Sequence, residues 1–176
     1  MSFIKVRMLF ICAAVSFLAM PGTAIAGDES GFYIGAGTGD TSIIDSDIDA
    51  SDSGYKIFAG YNIGFIPLID IAVEASYVDF GTLSTPDKSI EVTGINTFGL
   101  VGLSLGPVGL FLKAGIVNWD EDSIVGSTNS SSSGSDPAYG AGGRFSIGSF
   151  AIRAEYEAYD LDNSIDMITI SGVYTF

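Results

Sequence analysis

Phe150-Ala151-Ile152-Arg153-Ala154-Glu155-Tyr156-Glu157-Ala158-Tyr159 is the stretch that decides the fold. At a period of two, Phe150, Ile152, Ala154, Tyr156 and Ala158 share one face, and Arg153, Glu155 and Glu157 share the other. A helix would scatter both sets around its circumference, so the segment reads as a strand with one apolar and one charged side. Its length matches the roughly 9–11 residues that a tilted strand needs to cross a bilayer, beyond the usual 5–6 of soluble sheets.

Working outward, the same alternation recurs. Tyr55, Ile57, Ala59 and Tyr61 oppose Lys56 and Asn62; Ile69, Ile71, Val73, Ala75 and Tyr77 oppose Asp70, Glu74 and Ser76. Leu110, Leu112, Ala114 and Ile116 oppose Lys113, and Tyr139, Ala141 and Phe145 oppose Arg144. Eight segments are read in all, at 31–39, 54–62, 69–79, 91–104, 109–118, 138–146, 149–159 and 167–176. Val92 to Leu112 carries no charge over 21 residues, but Gly94, Gly99, Gly102, Gly106, Pro107 and Gly109 punctuate it too often for a transmembrane helix. A turn at 105–109 divides it into two strands.

The connections alternate in character. Those at 63–68, 105–109 and 146–149 are short and uncharged, whereas 40–53, 80–90, 119–137 and 160–166 are mostly longer and polar and hold 13 of the 21 acidic residues against the single basic Lys88. Short turns at one end and long polar loops at the other describe an all-β chain folded as an eight-stranded antiparallel up-and-down transmembrane β-barrel.

Which face is apolar separates this from a soluble lipocalin-like ligand-binding barrel, whose apolar side points inward. Here every mid-strand charge falls on one face: Lys56, Lys113, Arg144 and Arg153 against Asp70, Glu74, Glu155 and Glu157, opposite a continuously apolar one. In a lipid-facing barrel these eight would form a buried ion-pair network filling a narrow lumen.

Composition bounds the function. The 176 residues carry 7 Lys+Arg, 21 Asp+Glu, no His and one Cys, a formal net charge of -14. Such a balance opposes nucleic-acid binding, which rests on basic surface. The lack of His removes Ser-His-Asp, Cys-His and His-ligated zinc chemistry, and no enzymatic role or cofactor is expected. The carboxylates Glu155 and Glu157, two apart on one strand with basic neighbours, read as ion-pairing groups.

Residues 1–26 read as a cleaved signal peptide. Lys5 and Arg7 precede the charge-free run from Met8 to Met20, and Ala24-Ile25-Ala26 supplies the small-x-small cleavage pattern. The run is short for a spanning helix. Cleavage would remove Cys12 and leave 27–176 as one barrel domain without a disulfide.

Gly31-Phe32-Tyr33-Ile34-Gly35-Ala36-Gly37, Val73-Glu74-Ala75-Ser76-Tyr77-Val78-Asp79-Phe80-Gly81 and Arg153 to Asp160 together resemble the OmpA/OmpX-like family of small outer-membrane β-barrels. At the chain's end Ile168, Ile170, Gly172, Tyr174 and Phe176 alternate on one face, similar to the signature by which barrel assembly machinery recognises such proteins. The resemblance spans essentially 27–176 and implies a Gram-negative outer-membrane location with mobile loops outside. A periplasmic peptidoglycan-binding domain such as OmpA carries has no counterpart in these residues.

The expected function is that of a structural or surface barrel, monomeric, working in surface contact or envelope integrity. The alternative is a narrow gated pore using the lumenal charges. Expected partners are outer-membrane lipid, lipopolysaccharide and the assembly machinery. Asp45, Asp47 and Asp49 have the alternate spacing by which a loop can offer oxygens to Ca²⁺ but lack the central Gly and terminal Glu of an EF-hand, so diffuse association of divalent cations is the expectation. The tract 126–135, mostly Ser, is expected to be disordered.

Overall fold

The computed structural model describes residues 30–45, 48–66, 68–85, 88–125, 128–161 and 164–176; the expected signal peptide lies outside them. Eight strands follow one another: β1 (Gly31–Asp45), β2 (Ile48–Ile66), β3 (Ile69–Thr85), β4 (Lys88–Leu105), β5 (Val108–Val125), β6 (Thr128–Ile147), β7 (Phe150–Tyr159) and β8 (Ile165–Thr175). Each pairs antiparallel with its neighbours, and β8 returns to β1 from Tyr33↔Thr175 to Ile43↔Ile165, closing the barrel. Closure removes the sheet edges within the membrane, where an unpaired backbone group has no water to turn to.

Turn chemistry marks one end. Leu105↔Val108 and Ile147↔Phe150 close two-residue hairpins over Gly106-Pro107 and Gly148-Ser149. In both, the first central residue is a glycine with positive φ, 62° and 59°, as the type II′ turn demands.

The faces sort as the alternation requires. Ile34, Ile57, Val73, Ile95, Leu112, Ile152 and Ile170 are exposed, while Lys56, Glu74, Lys113, Arg153, Glu155 and Glu157 are buried inside. A soluble barrel would reverse both sets.

The other end departs from the sequence reading. The polar stretches 40–53, 80–90 and 119–137 are largely strand, as β1 to β6 run well past the apolar band. The Ser tract expected to be disordered is part of β6 from Thr128 onward, paired residue by residue with β5 from Val125↔Thr128 to Trp119↔Gly134. The cause is hairpin register: once the membrane strands fix the alignment, the backbone groups above them continue the ladder. Toward the strand tips both faces meet water, as at Ser131, Ser132 and Ser133, so the apolar alternation that reveals a strand disappears there. The β3–β4 ladder is interrupted between Asp79 and Thr82, where Gly81 (φ 88°) donates its N–H to Asp79 Oδ1 at 2.9 Å.

Candidate functional site

Four strands carry the lumenal charges: Lys56 on β2, Glu74 on β3, Lys113 on β5, and Arg153, Glu155 and Glu157 on β7. Lys56 Nζ lies 2.8 Å from Glu155 Oε2 and 2.7 Å from Glu157 Oε2. Lys113 Nζ lies 2.7 Å from Glu155 Oε1, 2.6 Å from Glu157 Oε1 and 3.6 Å from Glu74 Oε1. Arg153 donates to Glu74 Oε2 at 2.6 Å, to Glu74 Oε1 at 3.2 Å and to Glu155 Oε1 at 2.6 Å. Three cations thus meet three carboxylates in one neutral hexad. Such a cluster is tolerable away from water because every charge is matched; removing one member strands its partners.

The structure separates the remaining two of the eight predicted charges. Arg144 and Asp70 pair with each other at 2.7 Å near the turn end, partly exposed, and Ser104 bonds to both. Their positions near the strand ends, four residues from Glu74 in one case, put them a level below the hexad. The expected single network of eight is therefore a hexad and a separate pair.

Aromatic rings flank the hexad. The Arg153 guanidinium lies 4.8 Å from the centroid of Phe58 and 4.5 Å from that of Phe111, and Lys113 Nζ lies 4.5 Å from that of Phe98. Tyr33 donates its hydroxyl to Glu74 Oε2 at 2.9 Å. The ring contacts stabilise cations that have lost their water, and the Tyr33 hydroxyl stabilises the Glu74 carboxylate. Room for the rings comes from glycine: a Cβ on Gly35 would stand 2.2 Å from the Phe58 ring, and one on Gly60 2.3 Å from Tyr33.

Toward the outer end Asn96 donates to Ser76 Oγ at 3.1 Å and to the Tyr159 hydroxyl at 3.2 Å. Beyond them Val78, Phe80, Val92, Val117, Trp119, Ile165 and Met167 are buried together. The hexad is thus enclosed between aromatic residues on one side and an apolar layer on the other. Sequence reading missed both layers, although Phe58 and Phe111 stand two residues from Lys56 and Lys113 on the same face. The signal is present in the sequence as rings on the polar faces of β2 and β5 beside the charges.

At the outer end Asp40, Glu91, Asp120 and Asp160 are exposed, and Trp119 Nε1 donates to Asp136 at 2.6 Å. Of the proposed Ca²⁺ ligands, Asp47 lies outside the described residues and the side chains of Asp45 and Asp49 are likewise not described. Among the described residues no three His, Cys, Asp or Glu side chains group as a metal site would. Ile168, Ile170 and Tyr174, which the sequence reading expects to form an assembly signal, face outward on β8, with the Tyr174 and Phe176 rings 5.1 Å apart.

The model of the outer membrane protein beta-barrel domain matches residues 10–176. The chain belongs to that family. It is accordingly an outer-membrane protein. Among solved structures, Ail, the attachment invasion locus protein of Yersinia pestis, is 17% identical with a TM-score of 0.65, covering 84% of this chain and 100% of that one. Neisserial surface protein A is 16% identical with a TM-score of 0.66, covering 84% and 98%. The N-terminal β-barrel domain of Pseudomonas aeruginosa OprF is 15% identical with a TM-score of 0.59, covering 85% and 99%. At these identities the likeness is one of fold. No curated protein matches the sequence.

Proposed function

We propose that this outer-membrane barrel is non-conducting and works through its acidic outer end, in surface contact or envelope integrity. The observation that carries the reading is the filled lumen, a neutral hexad held between aromatic and apolar layers. An ion crossing it would have to part matched charges and then pass a layer of packed apolar side chains. This supports a scaffold over a gated pore.

Function then falls to the outer end. The described side chains there include Asp40, Asp79, Glu91, Asp120, Glu121, Asp136, Asp160 and Asp166, and none is basic. Beside the anionic head groups of lipopolysaccharide such a ring repels unless divalent cations intervene, so diffuse Mg²⁺ or Ca²⁺ bridging to the lipid is part of the proposal. The acidic surface suits a basic contact partner, in contrast to the heparin analogue sucrose octasulfate with which Ail has been crystallised. The barrel works as a monomer delivered by the assembly machinery.

Planar-bilayer recording of the refolded chain tests the reading. It should stay silent. Persistent openings whose size changes with Lys113→Ala would replace the scaffold with the gated pore.

A further inference from the structure

The outward faces of β6, β7, β8 and β1 enclose a groove of about 630 Å³. Its floor is the outward pair Ala36↔Gly172, where the first strand meets the last. Nothing stands within 4 Å of the place that a Cβ on Gly172 would take. Ile152, paired with Gly172, and Phe145, paired with Ile152, form one wall. Phe150 and Tyr174, edge to face with ring centroids 5.0 Å apart, form a shelf at the turn end. On the far side of the barrel the outward positions carry Val101, Leu103, Leu110 and Leu112, all more than half exposed, so the surface there is filled by large side chains.

The bilayer decides what reaches this groove, because it opens on the face that the barrel presents to hydrocarbon, continuous with exposed Ile57 and Ile170. A chain already in hydrocarbon gains nothing from leaving water, so any preference for the groove over the surrounding lipid rests on close contact. Rings beside a bare backbone floor offer that contact to something narrow and flexible. A second copy of the chain does not fit: a two-fold contact sets the groove against itself, and the rims at Ile152, Phe150 and Tyr174 would meet over an unfilled space. Depth selects the leaflet. Phe150 directly follows the Gly148-Ser149 turn, and Tyr174 is a residue of the type that gathers at the membrane–water boundary. The groove therefore starts at head-group level at the turn end, opposite the acidic end, and extends along three residues of β8, about 10 Å.

We propose that this groove is a binding site for one acyl chain of a phospholipid in the leaflet at the turn end, held across the closure of β8 on β1. The first methylenes of the chain lie on Gly172 and Ala36, between Ile152 and the Phe150–Tyr174 shelf. Where Gly172 lacks a side chain, the bound chain covers the backbone that joins the last strand to the first. The lipid is retained there longer than its neighbours elsewhere on the belt, and it completes the packing of the seam that closes the barrel.

The test uses the chain refolded in vesicles of phosphatidylethanolamine and phosphatidylglycerol with a trace of phosphatidylethanolamine that carries a diazirine near the ester end of one acyl chain. After irradiation the adducts are mapped by mass spectrometry. Those at Ala36, Phe145, Ile152 and Gly172 should exceed those at Val101, Leu103, Leu110 and Leu112 at least about threefold. Gly172→Leu and Ala36→Leu each fill the floor and should bring labelling of the groove down to the level of the far side, whereas Leu110→Ala should leave it unchanged. Labelling that is even around the belt, or absent from the groove, would reduce it to ordinary lipid contact and overturn the site, as would labelling undiminished in both filled variants. Stronger labelling by a lipid A bearing the same diazirine would overturn the phospholipid. Disulfide dimers of Ile152→Cys forming in the same vesicles at the expense of adducts would put a second copy in the groove instead. Every variant is first checked for heat-dependent gel mobility, so loss of labelling is distinguishable from loss of the fold.

Discussion

Arg153 on β7 grips Glu74 on β3 with both terminal nitrogens, at 2.6 and 3.2 Å, tying two strands across the lumen. The pair shares the barrel's middle with Lys56, Lys113, Glu155 and Glu157, so its energetics are those of a group. Arg153→Ala should cost roughly 3–5 kcal/mol, because Glu74 and Glu155 are left buried with one cation fewer. Arg153→Ala combined with Glu74→Ala or Glu155→Ala should cost less than the sum of the single changes. Urea unfolding in lipid vesicles measures each corner of the cycle; additive losses would mean that the six charges do not act together.

Two glycines on opposite faces give a contrast that sequence alone does not. Gly35 faces the Phe58 ring with no space for a Cβ, whereas Gly172 faces outward with nothing within 4 Å. Gly35→Ala should destabilise by about 1–3 kcal/mol by pushing Phe58 from beneath Arg153, and Gly172→Ala should be close to neutral. Unfolding midpoints of the two variants decide it.

The lipid face is tested at Leu112, 62% exposed on β5 and the next residue to buried Lys113. Leu112→Arg should cost roughly 2–4 kcal/mol in a bilayer. In a sheet with that face in water the same change would be nearly free. Folding free energy in vesicles reads the difference.

Assembly and stability should separate at the chain's end. Phe176→Ala removes a ring that packs on Tyr174 at 5.1 Å but no lumenal contact. Spontaneous refolding in detergent should change little, while insertion into proteoliposomes bearing the assembly machinery should slow severalfold. Equal rates in the machinery assay would remove the assigned role of the terminal residues.

The membrane half was legible because lipid imposes a strict period of two, and residues such as Ile152 and Arg153 report their faces without ambiguity. Lumenal placement of Lys56, Glu74, Lys113, Arg153, Glu155 and Glu157 followed from the same period. Which charges meet did not, because partners such as Lys56 and Glu157 lie 101 residues apart and are matched by barrel shear. Hence Asp70 and Arg144, on the same faces as the others, fall at a different level. The outer strands were hidden for another reason: Ser131 to Ser133 carry neither β-propensity nor a buried face, and their strand is imposed by the register of β5. The apolar layer of Phe80, Trp119 and Ile165 escaped notice because it lies in stretches whose other residues read as loop.

The closed lumen is tested most directly by placing a thiol in it. Asn96 is fully buried between the hexad and the apolar layer, Ser104 sits at the turn-end mouth beside Asp70 and Arg144, and the sequence has no cysteine after Cys12. In the folded barrel of residues 27–176, checked by gel mobility, Asn96→Cys should resist a charged methanethiosulfonate reagent until the protein is unfolded, whereas Ser104→Cys should react at once. Rapid modification of Asn96→Cys in the folded barrel would show a water path through the lumen and contradict the account.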